Sequence, residues 1–377
     1  MERKNKYWPA VLAIFVLLGF FASLLWQASW PLLLLTLAVL GLACLFPFRP
    51  RLAFAALLII RTGADFLTAT ELFSLGGIGV NFTSLTGIIV ILLAVFSLFR
   101  ERAWRGLPLA KPWLLFLGAS LAVSLFSING LLSLTELLRW LSFFALFVLG
   151  YSLFSDGKKS SFLIKSIILS SVIPALAAFW QLLNGLGIFD GERWRLSGTF
   201  VHPNMLAFYL VFIITLLLFL FLNLKRESLE KYVYLLFSLP LFVLLFFTYT
   251  RGAWICLFLV LFLIGLARFR LFLLSFLVIV LIFYVGFLPF RERLDSLMAF
   301  SAADSTVWRL ELWRDSLEYA KDSWLIGHGP GTSAYLIGQH RSPLLGSSEP
   351  HNDYIKLILE VGLLGLGAYL FLLLSLL

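Results

Sequence analysis

The chain has 377 residues, of which 61% are hydrophobic and only 13% are charged, and its mean hydropathy is +0.99. In a soluble domain about a quarter of the residues are charged, so the composition excludes an ordinary water-soluble protein and indicates a membrane protein. The net charge of +9 does not indicate nucleic-acid binding, because the basic residues stand in short segments between apolar runs.

Apolar runs of close to twenty residues recur along the chain, and each can cross a hydrocarbon core of about 30 Å as a helix. Backbone groups in lipid must find their partners within the segment, so we expect α-helices. The runs predict an all-α integral membrane protein of about twelve transmembrane helices, a single polytopic membrane domain over residues 1–377. The predicted spans are 8–26, 31–47, 52–69, 84–99, 113–128, 133–154, 162–183, 204–223, 232–249, 252–267, 271–289 and 352–376.

A few polar residues interrupt these runs. Arg61 and Asp65 stand four residues apart in the third run, so we expect them to pair on one helix face. Cys44 and Cys256 both lie in apolar runs and are expected to be packing residues, with neither a disulfide nor a metal site.

Before residue 184, the Lys and Arg residues of the connecting segments stand in every second segment. Cytoplasmic loops of membrane proteins carry an excess of these residues, whereas the outer segments before residue 184 carry none. The pattern predicts that both termini are cytoplasmic. The seventeen basic residues on the predicted cytoplasmic side are Arg3, Lys4, Lys6, Arg49, Arg51, Arg100, Arg102, Arg105, Lys111, Lys158, Lys159, Lys165, Lys225, Arg226, Lys231, Arg268 and Arg270.

Three segments on the predicted outer side do carry charge: 184–203, 248–252 and 289–350. The positive-inside bias does not explain them, so they are candidates for function. The outer loop that we predict over residues 289–351 is far longer than a usual connection. Within it, residues 305–324 place Trp308, Leu312 and Leu317 near one face, which predicts an amphipathic helix on or near the outer membrane–water interface.

His351 stands at the entry to the last predicted span, in the sequence SSEPHNDYIKLILEVGLLGLGAYL. Pro350 precedes it, and Asn352 or Asp353 can cap the helix that follows. A helix N-terminus disfavours the charged imidazolium, so we expect a neutral ring that can accept a proton. The alternative is a surface histidine in a loop.

Arg251 belongs to the sequence TYTRG, residues 248–252, which joins two predicted spans with hardly any loop. We expect Gly252 to permit the tight turn and Arg251 to lie at the outer boundary of the bundle. The alternative is an interfacial arginine whose head group extends toward water.

Two arginines precede a predicted helix start in the sequence ERWRLSGTFVHPNMLAFYL, residues 192–210. Arg193 and Arg195 stand before His202 and Pro203, and Asn204 is interpreted as an N-cap or a contact at the helix N-terminus. Guanidinium groups beside a helix N-terminus suit a phosphate. The alternative is a capped helix with interfacial arginines.

Arg309 lies in the predicted amphipathic helix, which is followed by the sequence IGHGPGTSAY. The three glycines of this sequence recur every second residue and predict a flexible loop. A phosphate-binding loop would continue with Lys and Ser or Thr, and this one does not. We expect His328, within the loop, to be structural.

The sequence contains no Asp-x-Asp pair, no His/Cys cluster and no Gly-x-Ser-x-Gly motif, so it predicts neither a metal site nor a serine nucleophile, and no cofactor is expected. Arginines can neutralise a developing phosphate charge, and a neutral imidazole can take a proton from a hydroxyl. Together these residues predict transfer of a group from a phosphate-linked donor to a hydroxyl acceptor, outside the cytoplasm.

At four places the sequence resembles the bacterial O-antigen ligase and O-antigen polymerase superfamily: RLSGTFVHPNMLA, TYTRGAW, RLELW…WLIGHGPG and PHNDYIKLILEVGLLGLGAYL. The number of predicted spans and the long loop before the last one match as well, so the resemblance covers nearly the whole chain. One departure is Thr250, where the superfamily more often has Ser. The modest outer loop argues against the protein O-oligosaccharyltransferases, which often carry a further periplasmic portion.

The resemblance implies a metal-independent, inverting glycosyltransferase of the GT-C-like class in the bacterial cytoplasmic membrane. Its donor would be a glycan on undecaprenyl diphosphate, its acceptor a lipid or glycan hydroxyl, and its other partners membrane lipids. His351 would activate the acceptor hydroxyl. The residues expected to bind the substrate are Arg195, Arg251 and Arg309, with Asn204 and Asn352 beside them.

Two alternatives to a ligase with a lipid A core acceptor remain at this stage. A surface-polysaccharide polymerase would perform the same chemistry on a carrier-linked glycan. A transporter or flippase of polyprenyl-linked sugars would need broken helices, internal repeats or charges near the middle of the membrane. Arg61, Asp65, Glu136 and Arg139 support this last idea, whereas the lack of a detectable repeat argues against it.

Overall fold

The computed structural model describes residues 30–75, 78–101, 106–191, 193–225, 227–268, 305–340 and 348–376, with isolated positions between 278 and 295. The helices in chain order are α1 (Trp30–Leu45), α2 (Pro50–Gly63), α3 (Phe82–Glu101), α4 (Ala110–Ser124), α5 (Gly130–Phe154), α6 (Gly157–Ser170), α7 (Val172–Leu183), α8 (Pro203–Asn223), α9 (Leu229–Phe247), α10 (Arg251–Arg268), α11 (Ser305–Ala320), α12 (Ser333–His340) and α13 (Asp353–Leu374). Short 3-10 turns cover Asp65–Ala69 and Lys321–Ser323. The strands are β1 (Glu71–Leu75), β2 (Ile78–Asn81), β3 (Ile188–Phe189) and β4 (Trp194–Arg195).

Six apolar stretches among the described residues are long enough to cross a membrane as helices: Phe82–Arg100, Gly130–Phe154, Lys159–Leu183, Pro203–Asn223, Leu229–Phe247 and Asp353–Leu374. Many large apolar side chains on them face outward, as lipid contact requires. These features support the predicted all-α membrane protein. The number twelve stays a prediction, because span 8–26 and most of 271–289 lie outside the described residues.

The third predicted span, 52–69, is wrong in its extent. Helix α2 ends at Gly63, and Asp65 begins a 3-10 turn. The predicted pair nevertheless forms, with Arg61 Nη1 2.6 Å from Asp65 Oδ1. The helix is therefore shorter than its apolar run, and Asp65 lies in the turn that follows it.

The described residues divide into two compact units. Unit 1 comprises Met1–Glu71, Asn81–Thr83 and Asp156–Ala299, and unit 2 comprises Leu72–Val80, Ser84–Ser155 and Phe300–Leu377. The core of unit 1 is built around α8, whose fully buried side chains recur at three- and four-residue spacing: Leu206, Leu210, Ile213, Ile214 and Leu217. They pack with α7, α9 and α10.

A proline separates α6 from α7 in unit 1. Pro174 lacks an N–H, and its ring would clash with the carbonyl of Ser170, so the helix is interrupted at Ser171. The Ser170 carbonyl that is left over accepts a hydrogen bond from Thr62 Oγ1 at 2.9 Å. The interruption thus becomes an attachment point for α2.

In unit 2, α13 packs against α4, α5 and α11. Phe116, Trp140 and Tyr369 form an aromatic cluster with ring centroids 4.9 and 5.7 Å apart. The predicted amphipathic helix exists as α11, and Leu312 is fully buried on it. Leu317, however, is exposed and does not share the buried position of Leu312. The buried face of α11 carries Leu312, Ser316 and Ala320 at four-residue spacing.

Helix α13 is interrupted inside its apolar run. Gly362 has φ 63° and ψ −166°, which no L residue adopts without strain. The carbonyls of Leu359 and Glu360 accept the amides of His328 and Gly329, and the amides of Leu363 and Leu364 donate to the carbonyls of Trp324 and Leu325. Residues 324–329 therefore bridge the break and satisfy the backbone groups that it frees.

The glycine-rich segment that bridges the break is not the predicted flexible loop. A Cβ on Gly327 would come within 2.5 Å of the Glu360 backbone, and one on Gly329 would come within 2.0 Å of Ser127 Oγ. The alternating glycines allow close packing between α5 and α13. The Nδ1 atom of His328 lies 3.1 Å from the Leu359 carbonyl oxygen, which is consistent with the structural role expected for this histidine.

Candidate functional site

Arg195 in unit 1 is held by four groups. Its Nε donates to the Thr248 carbonyl at 2.9 Å, and its Nη2 donates to Asn204 Oδ1 at 2.9 Å and to Thr250 Oγ1 at 3.1 Å. The Asp190 carboxylate lies 3.9 Å from Nε. A long side chain tied at this many points loses most of its rotamer freedom, so the guanidinium has a fixed position.

The segment that carries Arg195 is fixed by its backbone. β3 and β4 pair antiparallel, with Ile188 opposite Arg195. Beyond the hairpin, Gln181 Oε1 accepts the amides of Ser197 and Gly198 at 3.0 and 2.8 Å. Gly198 has φ 57°, and a Cβ there would come within 2.7 Å of the Pro174 carbonyl oxygen. These contacts lead the chain from α7 back to α8 by one defined route.

Asn204 is not the N-cap of α8. The cap is His202, whose Nδ1 accepts the amide of Asn204 at 3.1 Å. The amide oxygen of Asn204 instead accepts hydrogen bonds from Arg195 and, at 3.2 Å, from Thr250 Oγ1. Asn204 therefore joins the sequence segments 195–204 and 248–250 through polar contacts. We call the four residues Arg195, Asn204, Thr248 and Thr250 the Arg195 cluster.

Arg251 is the first residue of α10 and is partly exposed. The expectation that Gly252 makes the tight turn is wrong, because Gly252 is helical and the left-handed residue is Tyr249, with φ 51°. The Arg193 guanidinium lies over the Tyr249 ring, with its Cζ atom 5.1 Å from the ring centroid. This cation–π contact places Arg193 beside the turn that leads to Arg251.

Sequence reasoning missed the buried support of the Arg195 segment. Thr199 Oγ1 donates to the Thr62 carbonyl at 2.7 Å, and the amide of Val201 donates to Asp65 Oδ2 at 3.3 Å. Asp65 thus binds both Arg61 and the backbone just before α8. The signal in the sequence was the charged residue inside an apolar run, and its distant partner could not be read from spacing.

His351 in unit 2 stands on a sharp turn before α13. Its φ of 52° is unusual for a residue with a side chain. The preceding carbonyl, that of Pro350, accepts a hydrogen bond from Trp313 Nε1 at 2.7 Å. The imidazole packs edge-on against Trp308, with ring centroids 5.8 Å apart, and part of its surface stays exposed. Helix α11 thus fixes both the backbone and the ring of His351.

The pKa of His351 is lowered from its ordinary value. Partial burial of the ring is the largest cause and the positive charge of Arg309 the second, whereas Glu349 acts in the opposite direction. The sequence predicted a neutral imidazole because of the helix N-terminus. The lowered pKa confirms that the neutral ring is favoured, but the causes are burial of the ring and the charge of Arg309.

Asn352 is the N-cap of α13, and its Oδ1 accepts the amides of Tyr354 and Ile355 at 3.1 and 3.3 Å. The capping part of the prediction is confirmed. Arg309 lies on α11, with its guanidinium 5.6 Å from the centroid of the Trp308 ring. Trp308 therefore contacts both His351 and Arg309.

Comparison with known families adds an independent observation. Residues 236–370 match the family model described as O-antigen ligase. This stretch of the chain is therefore similar to the O-antigen ligase family. The match confirms the resemblance and supports a glycosyltransferase-like function on surface polysaccharides. A search of curated proteins gave no match. Arg251, Arg309, His351 and Asn352 lie inside the O-antigen ligase match, whereas the Arg195 segment precedes it.

Unit 2 also contains a buried charged cluster that no sequence pattern revealed. Lys356 Nζ lies 3.8 Å from Glu136 Oε1 and 3.8 Å from Glu360 Oε1. Glu360 is fully buried and its Oε1 accepts Ser333 Oγ at 2.7 Å, while Arg139 pairs with Glu136. The sequence shows Glu136 and Arg139 as charges inside a predicted span, whereas Lys356 and Glu360 belong to the last predicted span.

Among the described residues, no group of three His, Cys, Asp or Glu side chains could hold a metal ion.

Proposed function

We propose that the protein transfers a glycan from an undecaprenyl-diphosphate carrier to a hydroxyl acceptor at the outer face of the bacterial cytoplasmic membrane, as an O-antigen ligase does. The observation that supports this proposal most is the setting of His351. The residue lies inside the O-antigen ligase match, on a turn that α11 holds in place. Its lowered pKa favours the neutral imidazole. The proposed acceptor is a lipid A core hydroxyl.

His351 acts in this proposal as the general base. The neutral imidazole takes the proton of the acceptor hydroxyl while the oxygen attacks the anomeric carbon of the donor glycan. The new glycosidic bond forms as the bond from that carbon to the diphosphate oxygen breaks. Attack on the face opposite the leaving group inverts the configuration.

The arginines stabilise the leaving diphosphate in the proposal. Charge grows on the phosphate oxygens as the bond breaks, and guanidinium groups already in place favour that state. Arg195 has its position fixed by the Arg195 cluster, with Asn204 as one of its partners, and Arg251 opens α10. Arg309 is the third candidate, and it also lowers the pKa of His351.

The division of labour is tested by measuring donor binding beside glycan transfer. His351→Ala removes proton abstraction, so transfer should fall about 10²–10⁴-fold while donor affinity changes little. Arg251→Ala should weaken donor binding and also slow transfer, and Arg251→Lys should restore only part, because an ammonium lacks the bidentate fork.

His340→Ala is the matched control, because His340 lies in the same unit and contacts Tyr319 on α11 away from this turn. Detergent-extracted yield checks folding. Loss of donor binding in His351→Ala as complete as in Arg251→Ala would make the histidine a phosphate ligand. Normal transfer by both variants would refute the proposal.

Metal independence belongs to the same proposal, since arginines would take the place of a cation at the diphosphate. Purified protein should transfer glycan at an undiminished rate in EDTA. Activity that disappears in EDTA and returns with magnesium or manganese would show that charge stabilisation by arginine alone is insufficient.

A polymerase differs from a ligase only in its acceptor, so the purified protein decides between them when offered lipid A core and carrier-linked glycan in parallel. A transporter or flippase is favoured by one observation, the break in α13 beside the buried Glu360. Movement of a carrier-linked glycan across proteoliposomes without any transfer product would support that alternative.

A further inference from the structure

Gln181 is the one side-chain amide of α7, whose other residues are apolar or aromatic. The helix forms the last part of the apolar stretch Lys159–Leu183, which is long enough to cross a membrane. A polar group in such a stretch is costly unless it is hydrogen-bonded. The hydrogen bonds of Gln181 therefore indicate why a polar residue stands at this position.

The side-chain amide of Gln181 binds two consecutive residues of one distant segment. Its Oε1 accepts the amides of Ser197 and Gly198 at 3.0 and 2.8 Å. Its Nε2 donates to the Gly198 carbonyl at 3.1 Å and to Ser197 Oγ at 3.4 Å. Both ends of the side-chain amide thus pair with this backbone, much as the peptide group of a neighbouring strand would.

The residues bound by Gln181 complete a segment, 195–198, that begins with Arg195. The amide of Leu196 donates to the Phe247 carbonyl at 3.2 Å, and Arg195 Nε donates to the Thr248 carbonyl at 2.9 Å. The end of α9 therefore holds the first half of the segment, and Gln181 holds the second half.

Loss of the Gln181 amide would leave two backbone amides of this segment without their acceptor. Ser197 is only 5% exposed, and a buried amide without an acceptor is costly. Movement of the chain toward water would relieve that cost. It would start two residues after Arg195 and would displace the backbone from which this side chain extends.

We propose that Gln181 is a positioning residue for the donor diphosphate, because it fixes the backbone that carries Arg195. The inference rests on the proposed function, in which Arg195 binds the diphosphate. Gln181 does not touch the donor and acts through Arg195. A guanidinium that is already in place binds an anion more tightly than a mobile one, because less conformational entropy is lost on binding.

Amide hydrogen exchange of the full chain in lipid nanodiscs, without any ligand, tests the positioning itself. Gln181→Met keeps the length of the side chain but removes its amide, so exchange in peptides covering 197–198 should become at least tenfold faster. Asn184→Leu is the matched control, because Asn184 Nδ2 donates within the same turn to the Trp180 carbonyl at 2.8 Å. Equally slow exchange in Gln181→Met and the unsubstituted chain would overturn the proposal.

A double-mutant cycle tests whether Gln181 acts through Arg195. The probe is undecaprenyl diphosphate, and its affinity is measured in each variant. Gln181→Met should weaken binding about tenfold in the unsubstituted chain and less than twofold in an Arg195→Ala background, since the effect requires Arg195. Asn184→Leu should change neither affinity. An equal loss in both backgrounds, or no loss in either, would overturn the proposal.

Gln181→Asn provides a second variant if Gln181→Met folds poorly. It retains the amide but is one methylene shorter, so it should weaken binding by a smaller factor that again disappears in Arg195→Ala. A loss that persists in that background would overturn the proposal. If Arg195→Ala alone leaves the affinity unchanged, Arg195 is not a diphosphate ligand, and its proposed role fails together with this inference. If Arg195→Ala weakens binding but the losses add, only this inference fails.

Discussion

At the scale of single residues, His351 offers a sharp electrostatic test. If it is the base, transfer requires the neutral ring, so the rate at saturating donor falls as the pH drops through the pKa of His351. That pKa lies below the ordinary value of about 6.5, because of burial and Arg309. Activity should therefore persist to lower pH than an unperturbed histidine would allow.

Two substitutions should move this acid limb in opposite directions. Arg309→Gln removes a positive charge, which raises the pKa of His351 and moves the limb to higher pH. Glu349→Gln removes a negative charge, which lowers the pKa and moves the limb to lower pH. Initial rates at saturating donor from about pH 5 to pH 8 measure both shifts. A limb that stays in place in both variants would mean that another group titrates.

Residue identity alone did not reveal which residue is left-handed before α10 or which residue caps α8. The left-handed position before α10 is filled by Tyr249 although a glycine stands three residues later, and His202 caps α8 although Asn204 is the commoner cap type. In both cases the tertiary contact decides, because Tyr249 contacts Arg193 and Asn204 binds Arg195. Such contacts join distant segments and leave no periodic pattern.

At the scale of elements, the break in α13 makes a matched pair of glycines informative. An alanine at Gly362 would carry its Cβ to 2.3 Å from the Leu325 carbonyl oxygen, in a left-handed conformation that itself costs about 1–3 kcal/mol. Gly362→Ala should therefore lower the unfolding temperature in detergent and reduce the yield. Gly367→Ala on the same helix meets nothing within 4 Å and should be neutral or stabilising. Equal stability of the two variants would contradict the bridged break.

The helices themselves were largely predictable, and their interruptions were not. Apolar runs identified the helices because lipid and core both select apolar side chains, and the bounds of α5, α8 and α9 differ from the prediction by only a few residues. Gly362, Gly365 and Gly367 look alike in the sequence. Only the approach of residues 324–329 makes Gly362 left-handed. The break depends on a segment that lies more than thirty residues earlier.

At the scale of the whole molecule, the two units each contain part of the proposed chemistry. Unit 1 contains Arg195 and Arg251, and unit 2 contains Arg309 and His351. The candidate site residues came mainly from the resemblance, while the Glu136–Lys356–Glu360 cluster emerged only from the packing of α5 against α13. That the chain forms one polytopic domain, and that it crosses the membrane twelve times, stay predictions.

Orientation in the membrane is the last prediction, and it decides whether the chemistry takes place outside the cytoplasm. Cytoplasmic loops carry an excess of Lys and Arg, and seventeen such residues stand on the predicted cytoplasmic side. After replacement of Cys44 and Cys256, single cysteines are placed at Ser155 and Gln339, which are both exposed. A membrane-impermeant maleimide should label Gln339→Cys in intact cells and Ser155→Cys only after the cytoplasmic membrane is opened. Labelling of Ser155→Cys alone in intact cells would place α12 and the entry to α13 in the cytoplasm. A periplasmic glycan donor could not then reach His351, and the proposed reaction would fail with the orientation.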